Sequence, residues 1–253
     1  MSLVKTAAMV LHAFKYSESS KIVRLATEDV GIQSAIAKGA LRPKSKFGAR
    51  LQVLSEGVAE LYVKPNRELQ TLSEFAVSNQ HAGLAGDVRR YGTAAALAEL
   101  ILRSAPAEPN PAIFHYLTAA VSQLDLIDPE QVDTVAIGVL WGAVTVLGFA
   151  PAVDGCARDG RRLPEGAVSF SVAEGGFLCS QCAAQGDATR MGKGDRLVLE
   201  SFIHGVGDGV GTIPPRRAAA HRRLLSRFIQ QHLSEDRELK ALAFWETLPW
   251  NDT

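Results

Sequence analysis

Cysteine is nearly absent from this chain. Of 253 residues only Cys156, Cys179 and Cys182 are cysteine, an odd number confined to one short window. That excludes the paired disulfide framework of a small secreted domain and points to a reducing compartment, the cytoplasm. Net charge is absent as well: 27 Lys and Arg balance 27 Asp and Glu. Attraction to nucleic acid or to a membrane therefore has to come from local clusters. The run Met1-Ser2-Leu3-Val4-Lys5 has no charged region followed by an apolar stretch and a small-residue cleavage site, so no secretory signal is expected.

Catalytic constellations are missing too. There is no H-E-x-x-H, no P-loop and no G-x-S-x-G, and the six histidines are scattered. Gly205, Gly207, Gly209 and Gly211 alternate every second residue and are followed by Pro214-Pro215, which fails dinucleotide-binding spacing and reads as a connector. The deaminase signature fails because Leu178 stands where a proline should precede Cys179. No catalytic residue and no enzyme activity is expected.

Charge is absent from Thr134 to Val153, where Gly138 and Gly142 have small-xxx-small spacing. A membrane span would want flanking Lys/Arg and interfacial anchors, but Asp133 and Asp154 bound this stretch and Gly148 and Pro151 break its end. We read a helix buried in a helical core.

Apolar residues make up 47 % of the chain, enough for a sizeable core in one large domain or two to three small ones. In the first eighty residues, about five short β-rich runs, among them Ile22 to Leu25, Ile32 to Ala37 and Gly57 to Lys64, are separated by turn residues such as Gly31, Gly39, Pro43 and Pro65-Asn66. Within Gly57 to Lys64, Ala59, Leu61 and Val63 share one face and Glu60, Tyr62 and Lys64 the other, the alternation of a half-buried strand. So many short strands in so little chain predict a small closed barrel, because closure removes exposed edges. Beyond His81 the pattern is helical. Asn110-Pro111 and Asp128-Pro129 each place an N-cap side chain before a proline, and further helices are predicted over 90–103, 195–202 and 215–233. The fold class is α+β.

Three clusters carry chemistry. Lys38, Arg42, Lys44, Lys46 and Arg50 fall within thirteen acid-free residues that also contain Gly39, Pro43, Ser45 and Gly48, a long loop between strands. Two readings stand: a contact to a phosphate backbone, with Phe14, Tyr16, Phe47 and Tyr62 as available rings, or a solvated loop; Phe47 and Tyr62 individually read as core or structural contacts. A second cluster, Arg216, Arg217, His221, Arg222, Arg223 and Arg227, lies on a predicted helix, with Arg216, Arg223 and Arg227 near one face. It reads as an amphipathic surface helix or as a contact to DNA or an acidic peptide.

The third cluster is a zinc ribbon with one ligand altered. Cys179 and Cys182 form a C-x2-C pair, and nineteen residues before it Cys156 and Asp159 repeat the spacing with an oxygen donor in place of the second sulfur. Two short loops of this kind bring two ligands each to opposite corners of a tetrahedron. Gly160, and the run from Ser169 through Gly175-Gly176, suit a knuckle followed by a hairpin. Two readings stand: Asp159 marks a site that has lost its metal, or Zn2+ is bound by Cys156, Asp159, Cys179 and Cys182 and is structural, since four protein ligands leave no open position.

The whole chain resembles the RecO family of bacterial DNA repair and recombination mediator proteins. The resemblance is carried by Ala8 to Leu11, Tyr16 to Val23, Thr27 to Gly31, Ala37 to Ala40 with Pro43-Lys44-Ser45, Leu69 to Glu74, Leu147 to Pro151 and Phe170 to Cys179, in that order. It implies an oligonucleotide-binding (OB-fold) barrel over 1–80 and a helical domain over 81–253, interrupted by a zinc-ribbon-like insertion over 151–185. It further implies a DNA-binding mediator that takes single- and double-stranded DNA, anneals complementary strands without ATP and, with RecR, assists loading of RecA. The acidic tail of single-strand-binding protein is a further implied partner, the location cytoplasmic and nucleoid-associated, and no membrane is involved. Family zinc cysteines carry over to Cys156, Cys179 and Cys182, whereas Asp159 departs from the pattern. DNA contacts carry over to Lys38, Arg42, Lys44, Lys46 and Arg50. The rival classes are a metal-dependent nucleic-acid hydrolase and a zinc-stabilised protein-interaction scaffold.

Overall fold

The computed structural model describes residues 2–65, 67–106, 108–205, 211–234 and 238–250. Asn66 of the expected Pro65-Asn66 turn, and Gly207 and Gly209 of the glycine connector, lie outside them. The chain divides into two compact units, Met1–Leu126 and Ile127–Thr253.

In the first unit, β1 (Ser2–Lys15), β2 (Lys21–Thr27), β3 (Gly31–Ala37), β4 (Glu56–Val63) and β5 (Leu69–Asn79) form a closed barrel in the order β1-β2-β3-β5-β4. β1 serves two neighbours. Its N-terminal half pairs with β4 and its C-terminal half with β2, and a register shift between Val10 and His12 supplies the bend. β3 and β5 close the ring in parallel, which makes this the five-stranded Greek-key barrel of the OB-fold. The expected alternation in β4 holds: Ala59 and Leu61 are buried while Tyr62 is exposed. Val10, Val23, Leu25, Leu61, Leu72 and Phe75 fill the interior. Each such burial stabilises the barrel by about 1.5–3 kcal/mol relative to exposure.

Two helices complete this unit. α1 (Val88–Ser104) starts at Asp87, whose carboxylate accepts from the Arg89 N–H at 2.8 Å. α2 (Pro111–Leu126) starts as expected, with Asn110 Oδ1 accepting from the N–H of Ala112 at 3.1 Å. At the turn into α1, the Asp125 carboxylate accepts from the Leu84 N–H at 3.1 Å and tethers the end of α2.

The second unit is built around α3 (Val132–Val146), whose Val132, Ile137, Leu140, Trp141 and Val144 are buried. It starts later than Asp128-Pro129 suggested. The Gln131 N–H bonds the Asp128 carbonyl at 3.0 Å to close a turn, and no side chain caps the helix. It stops at Gly148, whose φ of +89° only glycine adopts cheaply and lets the Phe149 N–H return to the Val144 carbonyl at 2.9 Å. The uncharged stretch is core: the ring of Phe202 packs directly on Gly138. No helix among the described residues is long and apolar enough to cross a membrane.

Against α3 pack α5 (Lys193–Ile203) and α6 (Pro215–Leu233), and α7 (Lys240–Glu246) packs on α6. Between α3 and α5 the chain forms β6 (Val168–Ser171), β7 (Gly176–Leu178), the single turn α4 (Ser180–Ala183) and β8 (Thr189–Met191), with strand order β7-β6-β8. The expected hairpin is thus β6–β7, pairing Phe170 with Phe177. Phe170 also lies 6.1 Å from Phe228 of α6, which in turn lies 5.2 Å from Trp141 of α3. The hairpin is therefore sewn into the helical core by aromatic contacts.

Candidate metal centre and nucleic-acid interface

The first knuckle is a tight turn around Cys156. The Gly160 N–H bonds the Cys156 carbonyl at 2.8 Å, and the Cys156 N–H bonds the Arg161 carbonyl at 2.9 Å. Gly160 has φ +71°, so the chain reverses immediately after Asp159 without a side-chain penalty. The Ala157 N–H bonds the Phe177 carbonyl at 2.7 Å, which locks this knuckle to β7. The second knuckle wraps into α4, with the Ala183 N–H on the Cys179 carbonyl at 2.9 Å. The helical turn brings the two thiols to the same side.

The fold thus gathers all four expected ligands. The sulfurs of Cys156, Cys179 and Cys182 and an oxygen of Asp159 lie within 4.8 Å of one another. Asp159 Oδ2 is 3.3 Å from Cys182 Sγ and 3.8 Å from Cys179 Sγ. A tetrahedral ion with metal–sulfur bonds of about 2.3 Å and metal–oxygen bonds of roughly 2.0–2.2 Å requires a sulfur–oxygen edge of roughly 3.6 Å. The two observed edges bracket that value, so the donors fit a metal ion.

The cluster's electrostatics are those of donors competing for protons. The Arg161 backbone N–H, followed by the Cys156 thiol, holds the Asp159 carboxyl below the usual carboxylate range. Hydrogen bonding from the Cys182 backbone N–H lowers the Cys179 thiol. Burial, reinforced by Cys179 and Asp159, pushes the Cys182 thiol up to about 12. A dication at the centre would favour the deprotonated form of every one of these groups.

Arg158 and Arg161, which sequence reasoning passed over, bridge the two knuckles. Arg158 pairs with Glu174 at 2.6 Å and reaches the Cys182 carbonyl at 3.4 Å. Arg161 pairs with Asp159 Oδ2 at 3.3 Å and donates to Gln181, which lies between the two cysteines of the second knuckle. The signal was the density of arginine immediately around Asp159.

In the barrel, the five candidate cations Lys38, Arg42, Lys44, Lys46 and Arg50 are all exposed on the β3–β4 connection. Among the described residues no carboxylate lies at ion-pair distance from any of them. The loop is nevertheless anchored. Ala40, Phe47 and Leu51 insert into the barrel core, and the Leu54 N–H bonds the Val10 carbonyl at 2.7 Å. The Leu41 N–H bonds the Ser19 carbonyl at 2.9 Å, tying the loop to the β1–β2 turn. That contact between two connections is invisible in sequence. Of the four candidate rings, Phe47 is core as expected, whereas Tyr62, expected as a core contact, is exposed on the outer face of β4, and Phe14 and Tyr16 are exposed as well.

The arginine cluster on α6 divides. Arg216, Arg223 and Arg227 are exposed, as the spacing suggested. Arg222 is buried, 3.5 Å from Asp133 and with its guanidinium 4.7 Å over the ring of Trp250. Arg217 and buried His221 both contact Asp195, at 2.7 and 3.3 Å. Half of this basic cluster therefore serves packing and internal pairing.

Comparison with known families matches residues 1–81 to "Recombination protein O N terminal" and residues 85–242 to "Recombination protein O C terminal". Among curated relatives, the DNA repair protein RecO of Anaeromyxobacter dehalogenans (strain 2CP-C) is 31 % identical over 254 residues, covering 98 % of both chains. The DNA repair protein RecO of Anaeromyxobacter sp. (strain K) is similar to the same extent, 31 % over 254 residues with 98 % of each chain covered.

Proposed function

Because this chain belongs to the RecO family, we propose that it is a DNA-binding recombination mediator acting in DNA repair. It binds single- and double-stranded DNA through the barrel and anneals complementary strands without ATP. With RecR, and through the acidic tail of single-strand-binding protein, it assists loading of RecA. The observation that carries this reading is the β3–β4 loop: five exposed cations with no acid among them, fixed on an OB barrel by a buried phenylalanine.

The mechanism needs no bond chemistry. Lys38, Arg42, Lys44, Lys46 and Arg50 hold phosphates, and release of condensed counterions supplies much of the binding free energy. The exposed rings of Phe14 and Tyr16 offer stacking faces on the strand and turn beside the loop. A strand held by its backbone keeps its base edges free, and neutralised phosphates let a second strand approach.

The ribbon's role in this reading is structural. Cys156, Cys179 and Cys182 with Asp159 would hold one Zn2+, which would join the two knuckles and supply no chemistry to DNA. Burial of all three sulfurs supports this role over a hydrolytic one, which needs an open coordination position.

Annealing of fluorescently labelled complementary strands at several salt concentrations tests the reading. The intact protein should accelerate annealing with or without a metal chelator as long as it stays folded. Chelator-sensitive strand cleavage would make it a hydrolase, and no affinity for bare DNA would make it a scaffold. For the metal, about one zinc per chain is expected by elemental analysis, lost on Asp159→Ala.

A further inference from the structure

We propose that the ribbon is an exchangeable metal site whose gate is Asp159, with Arg161 as the group that receives the carboxylate when the gate opens. The proposal rests on the zinc reading above and concerns what this chain's own departure from four sulfurs does.

The four donors are not equivalent. Cys156, Cys179 and Cys182 are buried, whereas Asp159 is exposed. The oxygen donor therefore stands at the corner of the tetrahedron that faces solvent. It is also the donor with the weakest claim on a thiophilic ion, since soft thiolates favour zinc more than a carboxylate does.

The geometry at that corner is built for transfer. Asp159 Oδ1 is held by the Arg161 N–H at 3.1 Å, which pins one end of the carboxylate to the backbone. Oδ2, the free end, lies 3.3 Å from Cys182 Sγ on the inside and 3.3 Å from Arg161 Nε on the outside. Oδ2 is thus shared between the cluster and the guanidinium. The guanidinium, itself largely exposed, is oriented by the bond from its Nη1 to Gln181 Oε1 on the other knuckle. On opening, a water oxygen would replace Asp159 Oδ2 as the fourth ligand, and the carboxylate would stay paired with Arg161. No electron is transferred. A thiolate at this position would gain a stronger bond to the metal and could not be held by both the backbone N–H and the guanidinium in this way.

Competition for the carboxylate has a consequence at Arg161. Groups that orient a bound ligand strengthen metal binding, and removing them commonly costs about 10–100-fold in affinity. Here the outer group stabilises the open state, so its loss should slow release.

The test is zinc transfer from full-length, zinc-loaded protein to excess chromogenic chelator, followed by absorbance. Asp159→Cys should release zinc at least about tenfold more slowly than the native chain, and Arg161→Met should also slow release, by several-fold. Absorption spectra of the cobalt-loaded proteins should show tetrahedral coordination in all three, and circular dichroism should show an unchanged fold. Equal release rates for the native chain and Asp159→Cys, each carrying about one zinc, would overturn the gate while leaving the zinc reading intact. Faster or unchanged release from Arg161→Met would overturn the receiving role of Arg161. If neither the native chain nor Asp159→Cys retains zinc after loading, the zinc reading fails and the gate with it.

Discussion

The ammonium of Lys46 lies 5.5 Å over the ring of Phe47, and that ring is sunk in the barrel core while the lysine is exposed. Two adjacent residues thus join the loop's charge to the barrel's packing. Without the ring, the cations would sit on a tether whose ordering entropy has to be met on each binding event.

Replacing Phe47 with alanine should therefore affect both properties. Stability of the barrel should fall by about 3–5 kcal/mol, typical of truncating a buried phenylalanine. Phe47→Leu keeps most of the volume, so it should fold and bind DNA close to native strength. Urea melts and fluorescence anisotropy with a labelled oligonucleotide separate the two effects.

The cations themselves should appear in the salt dependence. Exchanging Lys44, Lys46 and Arg50 for alanine would remove three of the proposed phosphate contacts. At about 0.7 per contact for single strands, the slope of log affinity against log salt should become shallower by about two. Equal slopes for native and triple-variant protein would show that DNA lies elsewhere.

In the second unit, Phe228 connects hairpin and helices. Its ring lies 5.2 Å from Trp141, 6.1 Å from Phe170 and 4.4 Å from His232. Phe228→Ala should destabilise this unit by about 3–5 kcal/mol. The knuckles are held by their own backbone bonds, so metal content per folded chain should not change. Thermal melts paired with elemental analysis report on both.

Acid should weaken the same unit through His221. Burial lowers its imidazole pKa from 6.5, assisted by Arg217 and opposed by Asp195. The unfolded chain therefore binds a proton at a higher pH than the folded one does. Stability from this group is complete above about pH 6.5 and declines as pH falls from there to the lower folded value. His221→Gln should flatten that part of the stability–pH profile, measured as thermal midpoints between pH 8 and 5; an unchanged slope would assign the acid sensitivity to another group.

How far the sequence reached depends on whether a feature was local. The C-x2-C and C-x2-D spacings named all four cluster donors, because two ligands three residues apart must lie on one side of a turn. Alternation at Ala59, Leu61 and Tyr62 gave the strand and its faces, since the β period is two. Asn110 before Pro111 marked a helix start because capping involves only neighbouring residues. Asp128-Pro129 carried the same signal but closed a turn ahead of α3, whose first turn includes Asp133, 3.5 Å from the distant Arg222.

What the tertiary structure alone decided is which groups meet across long separations. The α6 arginines look alike in sequence, yet Arg222 is buried against Asp133 and Trp250 while Arg223 faces solvent, because one position of helical rotation, about 100°, separates core from surface. Phe47 and Tyr62 read alike as core contacts, yet the loop folds Phe47 into the barrel while Tyr62 stays on its outer face. Asp159 could be named as a ligand from its spacing. That it holds the solvent-facing corner, with Arg161 on one side and three buried sulfurs on the other, follows only from two knuckles nineteen residues apart closing on each other.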